Sequence, residues 1–170
     1  MEDSSRSALE PADRETAAAH DRKLQLRLWL RLLTCSRLME ATIRARLRGE
    51  FETSLARFDV LAQLEAARGK LTMGELSLRL MVTNGNVTGL VASMEEDGLV
   101  SRLPHPSDRR STLIRATSAG RALFDRMAPT HERWIEEMMD GLDPEDMTLL
   151  LELLAKLKDA VRTDERARDL

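Results

Sequence analysis

The chain of 170 residues contains one cysteine, three histidines, two tryptophans, three phenylalanines and no tyrosine. A single cysteine, Cys35, excludes a disulfide framework, and the histidines have no spacing suited to zinc, so neither a metal nor another cofactor is expected. No run approaches the roughly 20 apolar residues needed to cross a bilayer, and the acidic, polar N-terminus has no apolar signal core. These features predict a cytoplasmic protein without a membrane partner. There is no nucleophile–base–acid set, no phosphate-cradling glycine loop and no metal motif, so an enzyme is not expected and no catalytic residue is assigned.

What remains is a chain with 42% hydrophobic and 32% charged residues, rich in Leu, Ala, Glu and Arg, which favours helix in one domain of ordinary size. The net charge of −3 is unevenly spread. From Arg102 to Arg121 there are five arginines against one acid, a local balance of +4, whereas from Ile135 to Leu170 eleven acids face five bases, giving −6. The positive field is local, as it is in proteins that meet phosphate on one face only.

Residues 1–19 carry Pro11 and no sustained apolar face, and read as a disordered arm. Residues 20–50 form a helix with two apolar stripes. Leu24, Leu28, Leu32, Cys35, Met39 and Ile43 make one, and Leu26, Leu30 and Leu33 the other; Gly49 is its expected end. Ser54 to Ala67 is a second helix, with Phe58, Leu61 and Leu64 inward. Thr72 and Glu75 form a capping box that opens a third. Met81-Val82 is a turn, and Thr83 caps a fourth helix over 83–97 that Gly98 stops. Residues 99–116 read as a hairpin wing around PHPSDRR. A fifth helix begins at Thr117 or Ser118 and bends near Pro129, and Asp143-Pro144 opens a sixth striped with Met147, Leu150, Leu151, Leu154, Leu157 and Val161. The fold class is mainly α with a small β-hairpin wing. A winged helix-turn-helix lobe spans 51–117, helices for dimerisation span 20–50 and 118–162, and 163–170 is a flexible tail. Long amphipathic helices remote from the compact lobe need partners, and a homodimer supplies them.

The outward positions of the fourth helix are Thr83, Asn84, Asn86, Thr88, Gly89 and Ser93. These are weak helix formers with short hydrogen-bonding tips, where a purely solvated helix would carry Glu, Lys and Arg. Short tips let a helix sit deep in a major groove, with Asn pairing to adenine edges and Thr reaching a phosphate or a thymine methyl. Arg109 and Arg110 stand at the wing tip, stiffened by Pro104 and Pro106 and oriented by Asp108, a presentation suited to a narrow minor groove. His105 either contacts a phosphate or caps the loop, and Ser107 has a similar double reading. The expected partner is a double-stranded DNA operator. A protein-interaction module is the rival reading of the same fold.

The run ELSLRLMVTNGNVTGLVASMEEDGLVSRLPHPSDRRSTLIRATSAGRALF resembles the MarR (multiple antibiotic resistance regulator) family of winged-helix transcription factors. Its hallmarks are the wing pattern of Asp108 and Arg110 and the Thr-x-x-Gly helix start at Thr117 and Gly120. The resemblance covers residues 21 to 162. It implies a homodimer joined through terminal helices, with the fourth helix in the major groove and the wing in the minor groove, and with repression as the expected sign. It departs from the family at Gly89, where members often carry a basic residue, which shifts the expected base contacts to Asn84, Asn86 and Thr88. The resemblance also implies a small-molecule effector held where the dimer helices meet the DNA-binding lobe. Candidates are Arg27, Trp29, Arg31, Leu32, Cys35, Met39, Phe58, His131 and Trp134. The MVTNGNVTGL stretch looks like the subgroup induced by aromatic acids or their acyl-coenzyme A thioesters of hydroxycinnamoyl type, anions that guanidinium groups hold well. A redox switch through Cys35 is the competing reading.

Overall fold

The computed structural model describes residues 24–108 and 111–168, with the side chains of 164–168 outside the description. The expected arm over 1–19, the start of the first helix with Arg22, and the wing-tip residues Arg109 and Arg110 all lie outside the described residues. The elements are α1 (Leu24–Phe51), α2 (Leu55–Ala66), β1 (Lys70–Thr72), α3 (Met73–Leu80), α4 (Asn84–Glu96), β2 (Val100–Pro104), β3 (Thr112–Ala116), α5 (Ser118–Met139) and α6 (Pro144–Arg168). They fall into two compact units, divided between Phe124 and Asp125.

In the first unit each start and stop has a local cause. Ser54 caps α2 by accepting from the Arg57 amide, and Thr72 and Glu75 close both halves of the capping box on α3. Those two hydrogen bonds from Thr72, backbone then side chain, hold the Glu75 carboxyl below its ordinary pKa. α3 ends at Met81, which adopts a left-handed φ of 53° and turns the chain into α4. Gly98, with φ 70°, turns it again into β2. α1 runs past Gly49 to Phe51 and stops where Glu52 takes a φ of 51°, so the glycine is helical and does not mark the end.

The sheet has three antiparallel strands in the order β1-β3-β2. The hairpin of β2 and β3 is the expected wing, with Arg102 opposite Ile114. β1 is an addition: Leu71 pairs with Ile114 from the other side. Three residues cannot display an alternation, and Thr72 is also a helix cap, which is why the strand was hidden in the sequence.

α2 occupies the centre of this unit, against α3, α4 and β3. Leu47 from α1, Val60, Leu61 and Leu64 from α2, Leu76 from α3, Val87, Val91 and Met94 from α4, and Ile114 from β3 are almost wholly buried. At about 1.5–3 kcal/mol for each fully buried Val, Leu or Met side chain, this apolar core is what holds α4 against the sheet. Phe58 is buried too and stacks on Phe124, with ring centroids 5.7 Å apart.

The second unit comprises the rest of α5 and α6. Met127 and Trp134 are buried, and α5 continues through Pro129 as one helix. Asp143 accepts from the amides of Glu145 and Asp146 and so caps α6, which reaches Arg168 instead of ending at the stretch read as a tail. No helix among the described residues is long and apolar enough to cross a membrane.

Candidate nucleic-acid interface

α4 presents a face free of charge. From Thr83 to Met94 the chain carries no ionisable residue, and Thr83, Asn84, Asn86, Thr88 and Gly89 are exposed. Two of them have local duties. The Thr83 hydroxyl accepts from the Asn86 amide at 3.4 Å, and Thr88 donates to the Asn84 carbonyl at 2.8 Å. A Cβ at Gly89 would meet open space, so packing does not require glycine there. Its absence of side chain keeps the face shallow beside Asn86. Ser93 is half-buried and accepts a hydrogen bond from Arg57 of α2 at 2.6 Å, which places it at the seam between α2 and α4.

The turn before α4 is tied down. The Ser77 hydroxyl donates to the Val82 carbonyl at 2.6 Å, and the amides of Met81 and Val82 donate back to Leu78 and Ser77. At the other end, Arg57 reaches Asp97 at 2.6 Å, and Glu95 receives both the backbone amide and the guanidinium of Arg102. The C-terminal turn of α4 is thereby linked to α2 and to the first wing strand. The pairing of Arg57 with Ser93 was not legible in the sequence, because the two are 36 residues apart.

In the wing, the His105 ring caps the loop. Its Nδ1 accepts from the Asp108 amide at 3.1 Å and lies 3.4 Å from both the amide and the hydroxyl of Ser107. That contact requires an unprotonated Nδ1, and the loop is closed further by the Ser111 amide donating to the Asp108 carbonyl. Ser107 and Asp108 are exposed. At the wing's base, Thr117 Oγ1 donates to the carbonyl of Gly98 and accepts from the Gly120 amide. Gly120 sits directly against the Leu99 carbonyl, where a Cβ would collide. The Thr-x-x-Gly pair thus fastens the start of α5 to the root of the wing.

The effector candidates are divided between the two units. Arg27, Trp29, Arg31 and Cys35 of α1 are exposed, Leu32 and Met39 are half-buried, and Phe58 belongs to the core. His131 and Trp134 lie in the second unit, where Trp134 is buried and burial lowers the pKa of His131. Among the described residues no group of His, Cys, Asp and Glu is arranged to hold a metal.

Comparison with known proteins accords with this geometry. The model of the MarR family matches residues 53–111. The transcriptional activatory protein BadR of Rhodopseudomonas palustris is 32% identical over 152 residues, covering 86% of this chain and 86% of that protein. The HTH-type transcriptional repressor YetL of Bacillus subtilis is 30% identical over 133 residues, covering 78% and 79% respectively. Among solved structures, Sco3205, a MarR family transcriptional regulator from Streptomyces coelicolor in complex with DNA, superimposes with a TM-score of 0.72 at 26% identity, covering 84% of this chain and 92% of that one. A helix-turn-helix with an uncharged polar face, a wing beside it and these relatives lead to one conclusion: the chain belongs to the MarR family and is a DNA-binding transcriptional regulator, not an enzyme.

Proposed function

We propose that the protein is a homodimeric repressor that sets two copies of α4 in successive major grooves of a pseudo-palindromic operator, with half-sites about one helical turn apart. The observation that carries this reading is the exposed face of α4, on which no side chain from Thr83 to Gly89 is longer than asparagine and the one apolar side chain, Val87, is buried. In this assignment Asn84, Asn86 and Thr88 address base edges, and Thr83 and Gly89 allow close approach. Ser93 supports the helix from its rear edge. Ser107, Asp108, Arg109 and Arg110 form the wing tip against a minor groove or its phosphates, with His105 holding the loop.

Dimerisation is supported by α6. Leu150, Leu154, Leu157 and Val161 recur at helical spacing and are 38–52% exposed, a stripe that water disfavours and a second copy would cover. The repressor reading rests on occupancy: a dimer lying across both grooves of a promoter blocks polymerase. The effector we assign is an anionic aromatic acid or its coenzyme A thioester. Arg27 and Arg31 lie one turn apart on α1, and Arg37 and Arg48, with Arg44 paired to Glu40 between them, line a groove of about 270 Å³ further along it; guanidinium groups are donors suited to carboxylate and phosphate. A redox switch is the second reading, favoured by the exposure of Cys35.

The test is a binding titration of the protein against its own promoter DNA and a random duplex, with mass determined by sedimentation. Specific binding by a dimer, abolished together with dimerisation in Leu154→Glu, is expected. A monomer that binds both duplexes equally overturns the proposal. Release by an aromatic acyl-coenzyme A, against release by peroxide that Cys35→Ser abolishes, separates the two modes of control.

A further inference from the structure

A cavity of about 370 Å³ opens between α2 and the helix-turn-helix, lined by Ala56, Asp59, Leu80, Val82, Asn86 and Leu90. Its size falls in the range that holds small organic molecules, and its walls have the make-up of such a site: four apolar side chains, one carboxyl and one carboxamide. The apolar walls come from three pieces of chain, Ala56 from α2, Leu80 and Val82 from the end of α3 and the turn, and Leu90 from α4. They favour a compact hydrophobic body.

The charge on the lining of this cavity has one sign. Asp59 is the only ionisable residue among the lining residues. Two charged groups of α1 face it, Glu40 and Arg44, and Arg44 is paired with Glu40 at 3.5 Å. The arginine's charge is shared with that neighbour, and its pull on Asp59, which favours the carboxylate, is the weakest of the three influences there, after burial and Glu40. Burial, and secondarily the nearby Glu40, raise its pKa from 3.8 to about 6. A carboxylate held in a half-dry apolar recess beside a second acid attracts a cation that brings its own apolar cover, and repels an anion.

We propose that this cavity is a binding site for small hydrophobic amines, with Asp59 receiving the ammonium group and Leu80, Val82 and Leu90 enclosing the apolar body. Asn86 faces the same space, so an occupant would contact an amide that the reading above assigns to bases. This consequence rests on that reading. It makes the amine an antagonist of DNA binding at a place distinct from the arginine-rich surface of α1.

The experiment uses 2-phenylethylamine, with 2-phenylethanol as its neutral analogue and 3-phenylpropionate as its anionic one, titrated calorimetrically into the full-length protein without DNA. The amine is expected to bind at least tenfold more tightly than either analogue. Asp59→Asn is expected to remove that preference while leaving operator affinity unchanged, and Ala56→Leu, which fills the cavity but keeps the carboxylate, to abolish binding of the amine. Because a protonated amine needs an ionised partner, its affinity should rise about tenfold from pH 5 to pH 7.5, following the fraction of Asp59 that is ionised. Saturation should shift the Asn86 side-chain amide resonances in a nitrogen–proton correlation spectrum. No binding, equal binding of the anion, or binding that survives both variants overturns the site. Operator affinity measured without amine judges the DNA reading separately, so the two can fail independently.

Discussion

Arg57 of α2 donates to the hydroxyl of Ser93 on α4 at 2.6 Å, and its guanidinium lies equally close to Asp97 one turn further on. One side chain therefore grips the C-terminal half of the helix whose N-terminal half is proposed to meet DNA. A helix pinned at one end keeps its azimuth, and the direction in which Asn84 and Asn86 point depends on that azimuth.

Arg57→Ala is expected to lower stability by about 1–2 kcal/mol, a charge-assisted hydrogen bond discounted for the partly exposed pair, and to weaken operator binding more than binding to random duplex. Thermal denaturation and paired DNA titrations check this. Arg57→Lys should restore part of the stability but not the specificity, since a single ammonium replaces a fork. Equal effects on both duplexes would remove Arg57 from the positioning of α4.

Two glycines separate packing from function. Gly120→Ala is expected to destabilise the protein severely, by more than about 2 kcal/mol, because the new Cβ meets the backbone oxygen of Leu99 and neither partner can turn away. Gly89→Ala meets open space within a helix and should stabilise the free protein by about 0.5–1 kcal/mol. If α4 sits deep in a groove, the same change weakens operator binding; denaturation curves and binding isotherms on the same preparation give both numbers.

Base reading and phosphate contact leave different signatures. Asn86→Ala should relax sequence preference with little loss of non-specific affinity, whereas Arg110→Ala should weaken binding and flatten its salt dependence by about one unit or less. The measurement is the slope of log affinity against log salt on operator and random duplex. An unchanged slope in Arg110→Ala would take the wing tip off the DNA.

Asp59 sets a pH dependence of stability. Its folded pKa, about 6, lies above the ordinary 3.8, so the folded state holds a proton that the unfolded chain has already released between these values. The favourable contribution is complete below about pH 4 and is lost as pH rises through 6. Chemical denaturation between pH 4 and 7.5 should show Asp59→Asn removing this decline, with the variant more stable than the parent at pH 7.5.

The order of helices, the caps at Thr72 and Thr83, the turn at Gly98 and the polar face of α4 could all be read from the sequence, because each depends on residues within one or two turns of each other. So could the wing, whose two strands are separated by a short loop with an evident composition. Propensity misplaced the end of α1, since Gly49 is tolerated inside a helix when Leu47 beside it is anchored in the core. Tertiary structure alone decided the rest. β1 exists because β3 has a free edge for it, Arg57 meets Ser93 only once α2 and α4 are packed, and the cavity at Asp59 arises where three segments fail to close completely. Local hydrogen bonds and periodic burial are properties of a stretch of chain. An edge, a clamp and a void are properties of how stretches meet, and the loop-closure entropy overcome to bring them together is offset by a core that no single segment contains.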